Sequence, residues 1–144
     1  MAYKNIVITP PKVPNQDTAK ESQFYRGFST IDNLSNVKIY DSLLVKQDLI
    51  NHFNTKKGER LMNPEFGTII WDLLYDPLTE TLKQNIEEDV RNILSSDPRI
   101  NPIAVSIAEK DFGILIEVTM TYSANNETDT MRFTFDKDAG LIAQ

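Results

Sequence analysis

Three carboxylates around a glycine- and proline-rich stretch are the residues of this sequence best suited to chemistry. Glu59 and Glu65 lie in KKGERLMNPEFG, residues 56–67, and Asp72 follows it. Two carboxylates about 5–5.5 Å or 6.5–9.5 Å apart, one with a raised pKa, can hydrolyse a glycosidic bond. The same carboxylates also fit a solvated loop, whose counter-charges are Lys56, Lys57 and Arg60. Without a recognisable sugar-binding pattern, the solvated loop is the favoured interpretation and hydrolysis the enzymatic alternative.

Other short strings lack the companions that their chemistry needs. Asp111-Phe112-Gly113 has no phosphate loop or catalytic loop beside it, and Asn126-Glu127-Thr128 has no secretory signal, so both are predicted to be turns. The chain has one histidine, His52, and no cysteine. A lone histidine beside an apolar helix face is more typical of a packed surface residue than of a base or ligand. No catalytic residue, metal site or cofactor site is therefore predicted.

Composition limits the classes of partner. The chain has 144 residues, one domain's worth, and a net charge of −6, which repels the phosphate backbone of nucleic acid. No segment approaches the roughly 20 apolar residues of a membrane span. The start, MAYKNIVITPPKVP, has no leader pattern. We therefore expect neither a nucleic-acid nor a membrane partner, and a cytosol-like compartment unless an assembly carries the protein out.

The chain divides into an N-terminal arm, residues 1–40, and a single domain, residues 41–144. Three prolines and a polar run oppose regular structure in the arm: Pro10, Pro11, Pro14 and residues 15–22. Scattered apolar anchors follow: Phe24, Tyr25, Phe28, Ile31 and Leu34. An arm of this kind either packs back on its own domain or wraps a neighbour, and the pattern leaves both open.

The domain is predicted to be α+β. Helices are expected over about Asp41–Phe53, capped by Asp41 or Ser42, and as a short segment within Thr68–Asp76. Asp76 and Pro77 are expected to begin a third helix of about five turns, with an apolar stripe at Leu82, Ile86, Val90, Ile93 and Leu94. Alternating residues then predict a three-stranded antiparallel meander, one face of which packs on the long helix.

Two connections are unusual enough to carry function. In residues 56–67, Gly58 and Gly67 permit unusual backbone angles and Pro64 stiffens the centre. A bridge between Arg60 and Glu65 is expected, as is anchoring of the loop by Leu61, Met62 and Phe66, so the loop is interpreted mainly as a scaffold. At the corner Asp97-Pro98-Arg99, a stiffened arginine either points outward to a partner or closes the corner as an internal salt bridge.

These residues resemble a family. GERLMNPEFGTIIWDLLYDP, followed by a long helix, DPRI and a β-meander, resembles the gene 25-like baseplate wedge proteins of contractile-tailed bacteriophages, with relatives in the type VI secretion baseplate. The resemblance covers about Asp41–Asp136 in the family's order, and YRGFST at residues 25–30 resembles the N-terminal region of some phage members. It implies a structural protein of the virion's tail baseplate, assembled in the host cytoplasm in six copies, with no enzymatic activity and no cofactor.

The resemblance also implies partners and sites. The partners are other baseplate wedge proteins, tail sheath subunits and tube-initiator proteins. The family's Glu-Pro-Arg tripeptide is attributed to docking on the wedge core bundle; here Asp97 replaces the glutamate, and Pro98 and Arg99 match. The family's sheet is taken to accept strands from sheath subunits and so to initiate the sheath. That role falls on the expected edge strand, through Thr128, Met131, Arg132, Phe133, Thr134 and Phe135.

Some members of the family carry the label "lysozyme-like". This label is the glycosidase alternative in another form.

Overall fold

The structure is a computed structural model that describes residues 25–29 and 38–144. It confirms the predicted α+β class. The elements are, in chain order, β1 (Arg26–Phe28), β2 (Lys38–Tyr40), α1 (Asp41–Asn54), α2 (Ile70–Leu73), α3 (Glu80–Ser96), β3 (Ile100–Lys110), β4 (Gly113–Tyr122), β5 (Thr128–Asp136) and β6 (Gly140–Ala143). Among the described residues, none of the helices is both long and apolar enough to span a bilayer.

The main sheet has four strands, in the order β3-β4-β5-β6, and every neighbouring pair is antiparallel. The predicted three-stranded meander therefore lacked its last strand. The chain reverses after β5 because the Asp136 carboxylate accepts hydrogen bonds from the backbone N–H groups of Asp138 and Ala139, and Gly140 adopts a φ of +79°. The prediction that Thr128–Asp136 forms an edge strand is wrong, because β6 pairs with the outer side of its second half, Phe133–Asp136.

The helix ends differ from the predicted caps. Tyr40, not Asp41 or Ser42, occupies the N-cap of α1, and no side chain caps that end. The Asp41 carboxylate instead accepts a hydrogen bond from Tyr25 N at 2.9 Å, which ties the β1 segment to the helix. The long helix begins after Thr79, whose hydroxyl accepts from Leu82 N, so the expected cap at Asp76 is also wrong.

The core lies between the helices and one face of the sheet. Phe53 of α1 is fully buried and packs against Phe133, with 4.6 Å between ring centroids, and against the edge of Phe135 at 6.3 Å. Trp71 packs on Phe135 at 5.1 Å, and its Nε1 donates to the Phe53 backbone carbonyl at 2.9 Å. The predicted stripe of α3 also enters this core, through Ile86, Val90, Ile93 and Leu94.

Part of the predicted arm is regular. β1 and β2 pair as a small antiparallel sheet, with Arg26 opposite Tyr40 and Phe28 opposite Lys38. The expectations for residues 1–24 and 30–37, including the anchors Phe24, Ile31 and Leu34, lie outside the described residues.

Candidate functional site

The Pro98–Arg99 corner is closed by an internal ion bridge. Arg99 Nε lies 2.9 Å from Asp97 Oδ1, Arg99 Nη2 lies 2.6 Å from Asp97 Oδ2, and the Arg99 backbone N–H also donates to Asp97 Oδ1. The same Nη2 lies 2.8 Å from Asp48 Oδ2, in the middle of α1. The Arg99 side chain is only 22% exposed, so the expectation that its guanidinium points outward is wrong and the salt-bridge alternative describes it.

The bridge favours the charged forms of Asp97 and Arg99. Burial alone would raise the pKa of Asp97, but the hydrogen bonds and charge of Arg99 outweigh it, so that pKa lies below its ordinary value. Hydrogen bonding to Asp97 in turn raises the pKa of Arg99, against the effect of burial, and Asp48 adds to the increase. One guanidinium therefore balances two carboxylates and joins α1 to the end of α3.

A stack of three side chains faces this corner. The Arg60 guanidinium carbon lies 3.7 Å from the centre of the Phe66 ring, and Phe66 stacks on His52 of α1 at 4.0 Å. Burial lowers the pKa of His52, with a backbone hydrogen bond to Gly67 acting in the opposite sense, so the imidazole is neutral at pH 7. The expected bridge between Arg60 and Glu65 is absent, because Glu65 pairs with Lys57 at 3.5 Å.

The loop that carries Arg60 and Phe66 is held by its own backbone. Gly58 N donates to the Pro64 carbonyl at 2.8 Å, Lys57 N donates to Thr68, and Thr68 N donates to Thr55. Gly67 has a φ of +115°, and a Cβ there would lie 2.7 Å from the Thr55 carbonyl oxygen. These contacts give the loop a single defined course, as a scaffold requires.

The end of the loop is tied to α3. Thr68 is fully buried, and its hydroxyl donates to Asp89 Oδ2 at 2.8 Å. The same carboxylate oxygen accepts from Ile69 N at 3.1 Å, at the start of α2. Asp89 therefore fixes the loop relative to the helix that leads into the corner.

Two of the three expected anchors do not hold the loop. Leu61 is 96% exposed and Met62 is 99% exposed, so the prediction that they attach the loop to the body is wrong. Phe66 alone packs inward, on His52. Leu61 and Met62 were predicted to be buried because they are hydrophobic, but the tight turns at the loop tip direct both side chains to solvent.

The ion bridge and the stack form two walls of a cleft of about 500 Å³. α1 supplies its floor with Asp48, Asn51 and His52, and the end of α3 and the corner supply the residues from Ser96 to Arg99. The candidate catalytic residues Glu59, Glu65 and Asp72 are not among its lining residues. Each is exposed and contacts a neighbouring lysine: Glu59 accepts from Lys56 N, Glu65 pairs with Lys57, and Asp72 pairs with Lys56.

The expected sheath-binding strand has the predicted two faces. Met131, Phe133 and Phe135 are buried in the core. Arg132 lies on the opposite face, where it pairs with Glu117 at 3.3 Å, and the outward residues beside it are Thr128, Thr130 and Thr134. The alternation was predicted correctly, but both backbone sides of β5 are paired from Arg132 to Asp136, and only Thr128–Met131 have one side without a partner strand among the described residues.

A comparison with known protein families identifies the family of this chain. The family model of baseplate wedge protein gp25 matches residues 42–127, which include the loop, the cleft and the strands β3 and β4 of the sheet. This chain belongs to the baseplate wedge protein gp25 family. The predicted family is therefore confirmed, and with it the place of the protein in the tail baseplate of a virion.

Individual relatives agree with this assignment. Baseplate wedge protein gp25 of Enterobacteria phage T4 is 34% identical over 87 residues, covering 56% of this chain and 64% of that protein. The chain thus spans a little under two thirds of the length of this relative. A chain in the six-fold symmetrised baseplate of the anti-feeding prophage is 27% identical, with a TM-score of 0.54 over 72% of this chain and 83% of that one.

A further solved structure shares the fold alone. It is described as a candidate tail lysozyme from Geobacter sulfurreducens and is 23% identical, with a TM-score of 0.60 over 68% of this chain and 93% of that chain. At this identity the likeness concerns the backbone architecture, because catalytic side chains change within a conserved fold.

Two residues that build the site of this gp25-family protein, Asp48 and Asp89, were not predicted from the sequence. Asp48 pairs with Arg99, but the two residues are far apart in the chain, so no local pattern connects them. Asp89 could have been found, because it is a carboxylate between Ile86 and Val90, next to the buried stripe of α3. A charged residue beside such a stripe commonly has a specific partner.

Removing the corner arginine should destabilise the isolated protein. We expect Arg99→Ala to lower the free energy of unfolding by about 2 kcal/mol, because two partly buried carboxylates lose their shared counter-charge. Arg91→Ala is the matched control, since Arg91 pairs with Glu87 on the exposed face of α3 and should cost below about 0.5 kcal/mol. Urea unfolding of both variants checks this, and equal losses would show that the bridge does not brace the corner.

Proposed function

We propose that this gp25-family chain is a structural subunit that attaches to the core of a baseplate wedge on one side and starts the contractile sheath on the other. The observation that supports this most is the position of the three residues that correspond to the tripeptide attributed to docking. Asp97, Pro98 and Arg99 border a preformed cleft within the region that matches the family. Six copies around the baseplate, and contact with tube-initiator proteins, follow from the same proposal.

Wedge docking would use the cleft as a whole. Arg99 would contribute by holding the wall in place, since its contacts to Asp48 and Asp97 are made within the chain. Pro98 is exposed at the rim, and the Asp48 side chain keeps 44% of its surface exposed, so both are accessible to a segment of the wedge core. Because the walls are preformed, little ordering entropy is lost when such a segment binds.

Sheath initiation by strand addition needs an unpaired sheet edge. Since β5 is internal, we propose β3, Ile100–Lys110, as the strand that pairs with a sheath subunit. No strand within the described residues pairs with its outer side, and it is 11 residues long. The other edge, β6, has only four residues and so offers a much shorter template.

The accessible part of the β3 edge is its second half. Pro102 lacks an amide hydrogen and is followed by a register shift before Ala104, which interrupts the ladder near the start of the strand. From Ala104 to Glu109 the strand is regular, with Val105 and Ile107 partly buried and Ser106 exposed. An added strand would find backbone partners and an alternating surface along these residues.

The same geometry argues against an enzymatic function. A glycosidase needs two carboxylates across a substrate site, one of them kept protonated. In this cleft Asp48 and Asp97 share one guanidinium, and the pKa of Asp97 is lowered rather than raised. The loop carboxylates lie outside the cleft and contact lysines. We therefore propose that the chain does not hydrolyse peptidoglycan.

Blocking the cleft should prevent wedge docking without unfolding the protein. Ser96 is exposed and lines the cleft, so Ser96→Arg should fill the binding space and remove the chain from purified baseplates. Ser95→Arg, one residue earlier and outside the cleft lining, should be incorporated normally. Both variants should melt within a few degrees of the wild type, since exposed substitutions typically change stability by about 0.5 kcal/mol or less. Normal incorporation of Ser96→Arg would contradict docking at the cleft.

A cryo-EM map of the assembled tail tests the sheath proposal. We expect a strand of a sheath subunit beside β3, about 4.8 Å from it and in antiparallel or parallel register with Ala104–Glu109. Pairing at β6 instead, or a β3 edge left open in a tail with a complete sheath, would show that strand addition at β3 does not start the sheath.

Purified protein at micromolar concentration should not clear peptidoglycan. Hen egg-white lysozyme serves as the positive control, and Glu59→Gln and Glu65→Gln as specificity controls. Both glutamates are exposed, so these variants should fold normally. Clearing by the wild type that disappears in either variant would establish the lysozyme-like alternative.

A further inference from the structure

The tip of the 56–67 loop presents two neighbouring apolar side chains to solvent. Leu61 is 96% exposed and Met62 is 99% exposed, more than any other large hydrophobic residue among those described. Single exposed hydrophobic residues are ordinary on protein surfaces. Two adjacent ones, with almost no contact to their own chain, contribute nothing to the folded core, so their positions need another explanation.

The backbone that carries them is well defined. Asn63 N donates to the Arg60 carbonyl at 3.2 Å, which closes a turn around Leu61 and Met62. The Gly58–Pro64 hydrogen bond closes the loop beneath that turn, and Arg60 stacks on Phe66. The two side chains are therefore held away from the body of the protein before any partner binds. A preorganised apolar group of this kind loses little entropy on insertion into a pocket.

We propose that Leu61 and Met62 form an apolar knob that inserts into a hydrophobic pocket on another protein chain of the same baseplate. The inference rests on the proposed function and adds a second contact to it. Arg60 lines the cleft and directly precedes Leu61, so a partner seated in the cleft is also adjacent to the knob. One continuous partner surface can cover both.

The small size of the knob and the mixed charges around it favour a different protein chain as its partner, over a second copy of this chain or a membrane. Two side chains bury far less than the roughly 1,200 Å² of a stable dimer, so the knob needs a larger interface such as the one at the cleft. They also bury less than one myristoyl chain, which alone binds membranes only marginally. The surrounding charges are mixed, since Lys57 pairs with Glu65 and Glu59 accepts from Lys56 N, whereas membrane-binding segments are predominantly basic.

A double substitution tests the knob. We expect Leu61→Ser with Met62→Ser to melt as the wild type does, because neither side chain is buried in the free protein. Its occupancy in purified baseplates, in competition with tagged wild-type chain, should fall at least about 10-fold, since burying a leucine or methionine commonly changes binding by more than that. The control is Tyr75→Ser with Phe112→Ser, two other exposed residues at 71% and 66%, which should compete equally with the wild type.

Cross-linking identifies the occupant. The chain has no cysteine, so Met62→Cys labelled with a benzophenone maleimide carries a single photoreactive group. In assembled baseplates it should cross-link to apolar residues of one other baseplate chain, identified by peptide mass spectrometry. The control Asp138→Cys, in the exposed turn before β6, should not give that product. A product with a second copy of this chain or with lipid, or no specific product, would overturn the proposal.

The two proposals fail differently. If the serine double variant is incorporated as well as the wild type while Ser96→Arg is excluded, the knob is refuted and wedge docking at the cleft stands. If wild-type chain is absent from purified baseplates, both proposals are refuted together.

Discussion

The Arg99 guanidinium is bonded at once to Asp97, at the end of α3, and to Asp48, in the middle of α1, and the candidate site depends on that bridge. The bridge fixes the angle between α3 and β3, which meet at the corner, and the distance between the corner and α1. The opposite wall is fixed independently, by the hydrogen bonds of Asp89 to Thr68 and Ile69 and by the stacking of Phe66 on His52. A cleft with two separately anchored walls keeps its shape without a partner, which is what a fast and specific assembly step requires.

An ion bridge of this kind fixes the geometry of the corner more than it raises the free energy of unfolding. Partly buried charges lose hydration, and their mutual attraction roughly offsets that loss. Arginine suits the corner because its planar guanidinium can bond two carboxylates in fixed directions, which a lysine ammonium cannot. Aspartate at position 97, where the family resemblance implies a glutamate, fits this arrangement, since its short side chain bonds both the guanidinium and the backbone N–H of Arg99. The docking surface and the sheath-binding edge that we propose both adjoin this corner, since β3 begins at Ile100, directly after Arg99.

Local patterns predicted much of the fold, and contacts between distant residues account for what they missed. The stripe of α3 and the alternation of β4 and β5 follow from periodicity, and both are present. β6 was missed because four residues after a turn are too few to show a period, and its absence wrongly made β5 an edge. Phe133 of that strand is fully buried and belongs to the core. Leu61 and Met62 were misjudged because residue type alone does not tell a core anchor from an exposed contact.

A double-mutant cycle on Asp48 and Arg99 measures the interaction energy of the two residues and so tests whether the corner arginine is an internal brace. Asp48→Asn and Arg99→Met keep side-chain volume nearly constant while removing the charges, and urea unfolding gives the free energy of each single variant and of the pair. We expect a coupling energy of about 1–2 kcal/mol, as found for residues in direct ionic contact. Single-variant losses that add to within about 0.3 kcal/mol would mean that Arg99 and Asp48 do not interact in solution, and the arginine would then be available to a partner.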